Sequence, residues 1–185
     1  MRAPLLLSLA LVCSAAHAGA FQPPVVSEDR SELLLFTADT GVSAPETHED
    51  QDGFEDPQVS PDGQSVGWIA LVASCCTSYP LPRAIVIYRD GEVVQKFDAD
   101  QSIWEWRFAQ GGEAVAYAES VPHGLVPTYY HLKRISDGKT LSSFECYPGG
   151  MEGGPLDATY EPEGDIPEWV KAFRPDACRR SPDNA

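Results

Sequence analysis

The chain has 185 residues, with 28 acidic side chains against 13 Lys and Arg, and its net charge is −15 at pH 7. A field of this sign repels phosphate backbones and anionic lipid headgroups, so nucleic-acid binding and membrane binding through a basic patch are both disfavoured. The length is that of one domain, large enough to bury a hydrophobic core.

The first 18 residues have the pattern of a secretory signal peptide. Arg2 supplies the positive start, Leu5 to Val12 form a short apolar run, and Ala16-His17-Ala18 matches the small-x-small pattern of a cleavage site. The apolar run is shorter than the roughly 20 residues that a membrane-spanning helix needs. We therefore expect a periplasmic or secreted protein, with no membrane insertion once residues 1–18 are removed.

Residues 19–55 are predicted to contain one strand and an acidic loop. The strand covers Glu32 to Thr37, and the run from Glu46 to Asp56 gathers six carboxylates and one imidazole. Such a run is usually a solvated loop, and weak divalent-ion binding is the alternative. Its spacing is not that of an EF-hand, so we predict no metal site and no cofactor.

Residues 56–146 contain two similar halves. Residues 61–68 align without gaps with residues 110–117, and residues 89–97 align with residues 136–144. Both alignments give a repeat of about 48 residues, and repeats of this length with short β segments and glycine turns are typical of propeller blades.

Each half is predicted to form a four-stranded antiparallel sheet, with Asp-Gly or Gly-Gly in the tight turns. The predicted strands of the first half (56–98) are 56–60, 64–73, 84–89 and 92–98, and those of the second half (103–146) are 103–109, 114–120, 128–135 and 139–146.

The apolar pattern predicts which strand faces are buried. The strand from Ile103 alternates strictly, which places Trp104, Trp106 and Phe108 on one face. In contrast, 66–72 and 85–88 are apolar on both faces, as expected for strands that neighbouring sheets cover.

Residues 147–185 are predicted to be irregular, with a short helix. Glycine and proline are frequent between Tyr147 and Gly164. The segment 167–173 has Trp169 and Phe173 at helical spacing, so the helix is expected there.

The stretch from Asp56 to Trp68, with its Ser-Pro-Asp-Gly turn, resembles the strand and hairpin that open a blade in TolB-type and WD-repeat-like β-propellers. The resemblance covers about 56–146 and implies a sheet-based binding scaffold without an active-site residue. A closed propeller needs about four or more blades. We therefore expect a mostly β fold that is either an incomplete propeller or a two-sheet sandwich, with oligomers possible through exposed sheet edges.

Four cysteines follow the predicted cleavage site: Cys75, Cys76, Cys146 and Cys178. An even count in an exported chain predicts two disulfides. One alternative is a strained Cys75–Cys76 ring together with a Cys146–Cys178 bond, and the other is two longer bridges from the Cys75–Cys76 loop.

The loop from Cys75 to Pro82 is restricted by its prolines, and rigid loops on β scaffolds often carry binding sites. Tyr79 and Pro80 are therefore candidate binding residues, together with His123 in the hairpin loop of the second half. We predict a non-catalytic scaffold that binds another protein or a ligand.

Two alternatives assign chemistry to the chain. Gly63 to Gly67 fits the G-x-S-x-G pattern of a serine hydrolase, with Ser65 as nucleophile and with Asp98, His123 and His131 following in the chain order that family uses. A turn precedes Ser65 and a strand follows it, however, where a nucleophile elbow needs a strand and then a helix. The other alternative is a redox-responsive or metal-responsive protein that uses Cys75 and Cys76 or the acidic loop.

Overall fold

The computed structural model describes residues 19–38, 40–122, 127–146 and 165–173. Within them the fold is mostly β, with three antiparallel sheets and one short α-helix. The N-terminal sheet contains β1 (Gln22–Val26), β2 (Leu33–Phe36) and β3 (Gly41–Ser43). The central sheet contains β4 (Gln51–Val59), β5 (Ser65–Val72), β6 (Leu81–Arg89) and β7 (Glu92–Asp98). The C-terminal sheet contains β8 (Ser102–Ala109), β9 (Ala114–Ser120), β10 (Thr128–Arg134) and β11 (Thr140–Cys146), and α1 is Glu168–Phe173.

Within each sheet the strands lie side by side in chain order, joined by antiparallel ladders. At the β6–β7 hairpin, Asp90 and Gly91 have φ values of 53° and 87°. Positive φ at both central residues matches the right-handed twist of the flanking strands. The Asp-Gly pair therefore closes this hairpin as the sequence predicts.

The central sheet is packed on both faces. One face meets the N-terminal sheet through a cluster that includes Leu33, Leu35, Phe54, Val66, Trp68 and Val86. The other meets the C-terminal sheet through a cluster that includes Ile69, Ile85, Ile87, Phe97, Trp106, Val115 and Tyr117. Because successive side chains of a strand point to opposite faces, β5 and β6 supply both clusters. The prediction that these strands are apolar on both faces is confirmed.

The helix α1 covers the outer face of the C-terminal sheet. Val170 and Phe173 of α1 are buried among β9 and β10 side chains that include Ala116 and Leu132. Burying a side chain such as Phe173 contributes about 1.5–3 kcal/mol. The predicted helix at 167–173 is confirmed. In the described part of the chain, no helix has the length and apolarity needed to cross a membrane.

The eight predicted strands of residues 56–146 are all present, but β4 starts at Gln51. The second half of the acidic run Glu46–Asp56 is therefore a strand, and its prediction as a loop was wrong. The reason is Phe54, whose side chain is buried against the N-terminal sheet and whose N–H donates to the carbonyl of Arg30 over 2.9 Å. The short strands β1 and β3 were not predicted.

Trp104 is not on the buried face of β8. Its side chain is 55% exposed, whereas Trp106 is only 2% exposed. The β8–β9 ladder shifts its register between Ile103 and Glu105, so Trp104 is an extra residue without a partner on β9. A bulge of this kind turns a side chain away from strict alternation, which explains why the prediction for Trp104 was wrong.

The contact between the two four-stranded sheets predicts a sensitive position at Gly67. A Cβ atom there would lie 2.5 Å from Cη2 of Trp106 and 2.8 Å from Cδ1 of Ile87. We expect Gly67→Ala to lower the free energy of unfolding by about 1–3 kcal/mol through overpacking. Urea denaturation followed by tryptophan fluorescence measures this change.

Gly19→Ala is the control for this measurement, because a Cβ atom at Gly19 would meet Ala38 at 3.7 Å, an ordinary contact. Equal stability of the two variants would contradict the close packing of Trp106 on Gly67.

Candidate functional site

A cavity of about 630 Å³ opens where six parts of the chain meet. These parts are the β1–β2 turn, β4, β5, the start of β6 with the segment before it, the start of β8, and the segment that follows β9. The candidate binding residues Tyr79 and Pro80 both line it. His123 lies outside the described residues, and its neighbour Pro122 lines the cavity.

Irregularities in two strands supply the polar wall of this cavity. The β4–β5 ladder shifts its register at Asp52 and again at Asp56–Pro57, and the β8–β9 ladder shifts at Trp104. Asp52, Asp56 and Trp104 all line the cavity. Bulges are frequent next to functional sites because they re-aim a side chain. Here three separate shifts bring side chains to one place.

Hydrogen bonds hold the bulges at Trp104 and Asp56 in position. Trp104 Nε1 donates to the carbonyl of Ser120 over 3.2 Å. Asp56 has φ of 45°, its carbonyl accepts from Trp106 Nε1 over 3.0 Å, and its Oδ2 accepts from Gln58 Nε2 over 2.9 Å. A non-glycine residue at positive φ is strained and persists only where its surroundings fix it. The contacts of Asp56 provide that fixation.

Arg30 reaches the cavity because the β1–β2 turn approaches β4 closely at Gly53. A Cβ atom at Gly53 would lie 2.7 Å from the Arg30 carbonyl oxygen, so only glycine admits the turn without a shift. Arg30 Nη1 then lies 2.9 Å from Glu55 Oε1. The two charges offset one another at the cavity wall.

Three carboxylates of the cavity remain without a cationic partner among its lining residues: Asp29, Asp52 and Asp56. Asp29 accepts hydrogen bonds from the side chain of Ser27 and from the backbone and side chain of Ser31, and these bonds hold the pKa of Asp29 below its usual value. Asp29 therefore keeps its negative charge in mildly acidic solution. The cavity is acidic overall.

Ser102 adds a buried hydroxyl to the cavity wall. The residue is 1% exposed, and its Oγ has no hydrogen-bond partner among the described residues. Leaving a buried hydroxyl unpaired costs about 1–3 kcal/mol. A donor or acceptor that enters the cavity would remove this cost.

A buried, hydrogen-bonded carboxylate anchors the chain just before Ser102. Glu119 is 5% exposed, its Oε1 accepts from His131 Nε2 over 3.0 Å, and its Oε2 accepts from the N–H of Gln101 over 3.3 Å. Burial raises the pKa of Glu119, but these hydrogen bonds and the nearby charges of His131 and Lys133 outweigh it, and the pKa lies below its usual value. Glu119 is thus a charged anchor for the start of β8.

The other predicted chemistry is not assembled in the described residues. Ser65 is fully buried, and its Oγ accepts from Arg89 Nε over 2.7 Å. Asp98 lies beside His48 and Lys96, while His131 binds Glu119. The hydrolase hypothesis therefore has no serine–histidine contact in these parts of the chain.

Cys75 and Cys76 form neither of the bonds that the two predicted pairings give them, so this part of the prediction was wrong. Cys75 and Cys76 are exposed free thiols, so neither the ring nor a bridge from this loop is formed. Cys146 is disulfide-bonded, and Cys178 lies outside the described residues. The thiols of Cys75 and Cys76 share a hydrogen bond, and this contact raises the pKa of Cys76.

The acidic run does not gather into a metal site. His48 Nε2 lies 3.3 Å from Asp98 Oδ1 of β7, away from the other members of the run. In the part of the chain that the structure describes, no three His, Cys, Asp or Glu side chains are placed to hold a metal ion.

Comparisons with known proteins add little. No family model matches the chain, and no curated protein matches it. Among solved structures, a crystal structure of the eukaryotic initiation factor is similar with a TM-score of 0.32 and 13% identity, over 70% of this chain and 44% of that chain. The chain thus spans less than half of that protein, and a similarity this low supports no argument about function.

Sequence reasoning missed Trp104, Asp52, Asp56 and Ser102 as members of one site. One signal was present, because Pro57 lies inside a predicted strand, where proline usually marks an edge or a bulge. The cavity itself joins strands about 50 residues apart in the chain, which no local pattern reveals.

The buried pair of Glu119 and His131 predicts a pH-dependent stability. A carboxylate with a lowered folded-state pKa stabilises the fold above its unfolded pKa of about 4.3, and this stabilisation is lost as the pH falls through the folded-state pKa. We expect Glu119→Gln to lower the free energy of unfolding by about 1–3 kcal/mol at pH 7, and less at pH 3.

Urea denaturation at a series of pH values measures this difference. Glu113→Gln serves as the control, since Glu113 is exposed in the turn just before β9. A destabilisation by Glu119→Gln that stays constant from pH 7 to pH 3 would contradict the role of the charge.

Proposed function

We propose that the protein is an exported, non-catalytic binding scaffold and that the cavity at the β4 and β8 bulges is its binding site. The observation that carries this proposal is the convergence of Asp52, Asp56 and Trp104, each at a break in a ladder, on one cavity that also contains the unpaired hydroxyl of Ser102. Its volume of about 630 Å³ lies in the range of small-ligand pockets.

Binding is favoured over catalysis by the kinds of group at the cavity. They are carboxylates, one guanidinium, aromatic and aliphatic side chains, prolines and a hydroxyl, and no histidine or cysteine is among the described lining residues. Nucleophilic catalysis needs a base within hydrogen-bond reach of the nucleophile. Ser102 and Ser65 both lack such a base in the described chain.

We further propose that the sheets are propeller-type blades. Two stacked four-stranded sheets in simple chain order, together with the resemblance of the stretch from Asp56 to Trp68 to TolB-type repeats, support this. The signal-like residues 1–18 and the acidic composition support export. In such a scaffold the sheets provide rigidity and the bulges and loops provide recognition.

The binding proposal is tested by NMR of ¹⁵N-labelled protein with a library of small fragments and short peptides. We expect bound compounds to shift the resonances of Ser102 and the Trp104 indole, and Trp104→Ala to weaken their binding at least about tenfold because an aromatic contact is lost. Val94→Ala, an exposed apolar change on β7, is the matched control.

Compounds that bind Trp104→Ala as tightly as the unaltered protein, or shifts confined to other surfaces, would refute this site. Conversion of a bound compound into product would refute the non-catalytic assignment.

A second candidate function is redox response through Cys75 and Cys76. The specific observation is that both thiols are free and exposed in the loop that leads to Tyr79 and Pro80. Oxidation by a disulfide such as oxidised glutathione would remove one hydrogen from each thiol, form the Cys75–Cys76 bond, and release two molecules of reduced glutathione.

We expect glutathione disulfide to convert the pair into this ring and to shift the Tyr79 resonances. Alkylation followed by mass spectrometry counts the thiols, and Cys76→Ser is the control that cannot close the ring. A stable mixed disulfide with glutathione, or retention of both thiols, would count against this function.

A further inference from the structure

The electrostatic character of the cavity limits what it can bind. Four carboxylates and one guanidinium line it, and that guanidinium, from Arg30, is paired with Glu55. The remaining carboxylates of Asp29, Asp52 and Asp56 are gathered in a chain whose net charge is already −15. Like charges that share a concave surface focus a negative potential there. An anionic ligand is therefore disfavoured, and a cationic one is attracted.

The hydrogen-bonding groups of the cavity point to the same class of ligand. Carboxylates accept hydrogen bonds and do not donate them, and the Ser102 hydroxyl has free acceptor capacity. Ammonium and guanidinium groups carry donors and no acceptor. They complement this wall, whereas a ligand rich in carbonyl or phosphate oxygens would place further acceptors against the carboxylate oxygens.

The apolar part of the cavity fits the stem of such a ligand. Trp104 and Tyr79 line it with rings that are 55% and 46% exposed. Aromatic faces attract ammonium and guanidinium groups by about 0.5–2 kcal/mol. Pro80, Leu81 and Pro82 add apolar surface beside the rings. An aliphatic chain can pack there while its charged end reaches the carboxylates.

We propose that the cavity binds a ligand that carries an ammonium or guanidinium group on an aliphatic chain, an inference that rests on the proposed binding function. A bare metal ion is a poorer match, since no three carboxylate, imidazole or thiol groups of the described residues are placed to hold one. A free polyamine and a lysine or arginine side chain of a partner peptide share this chemistry.

The test measures binding of four probes by calorimetry and NMR at low ionic strength. The probes are spermidine, acetyl-Ala-Arg-Ala-amide, the same peptide with lysine, and the same peptide with citrulline, which has nearly the shape of arginine without its charge. We expect spermidine or the two cationic peptides to shift the Trp104 and Ser102 resonances, and the citrulline peptide to bind at least about tenfold more weakly.

The double variant Asp52→Asn/Asp56→Asn tests the carboxylates directly. Asparagine tolerates positive φ, so the backbone at Asp56 is preserved. We expect this variant to lose at least about tenfold in affinity for the cationic probes. Glu92→Gln/Glu113→Gln removes the same charge from exposed residues outside the cavity and is expected to change affinity less than threefold.

Each outcome decides a different question. Binding of spermidine alone identifies a free polyamine, and binding of the peptides identifies a side chain. Equal affinity for the arginine and citrulline peptides, equal losses in the two double variants, or no binding of any cationic probe would overturn the cationic ligand. The binding function would still stand if neutral library compounds shifted Trp104 and Ser102, and both proposals would fail if nothing bound at the cavity.

Discussion

The indole of Trp106 joins the two four-stranded sheets, and the candidate site depends on this junction. The ring packs against Gly67 of the central sheet, its Nε1 donates to the carbonyl of Asp56, and its own carbonyl accepts from Gln58. Core packing and two polar contacts therefore meet at one residue. Because the carbonyl of Asp56 is held by Trp106, the bulge of β4 and its carboxylate are fixed by the same side chain that fills the core.

The central sheet makes such irregularities sustainable. Its inner strands β5 and β6 are buried on both faces, and a slip of one residue would move every side chain to the opposite face, so the register is strongly specified. A ladder held in this way can absorb an extra residue at Asp52 or Asp56 without sliding. The sheets thus give the cavity a fixed wall, and the segment with Tyr79 and Pro80 lines another side of it.

Local patterns predicted the strands of residues 56–146 and the short helix because alternation and Asp-Gly turns act over a few residues. They did not predict β1, where two prolines weaken the strand pattern, or β4 before Asp56, where the burial of Phe54 depends on the N-terminal sheet. The site was predicted only in part. Tyr79 and Pro80 were predicted from the stiffness of their loop. Trp104 lines the cavity because the β8–β9 ladder shifts its register at this residue, and no local sequence pattern shows such a shift.

Several features that cost stability occur at the cavity. Asp56 and Arg30 have positive φ, Ser102 has an unpaired hydroxyl, and neighbouring carboxylates repel one another. Each feature is locally unfavourable for folding, and such features are expected mainly at functional sites. A ligand that neutralises the carboxylates and pairs with Ser102 would remove two of these costs at once. Removing these costs on binding would then add to the affinity for the ligand. Groups that are already held in place also lose little conformational entropy on binding.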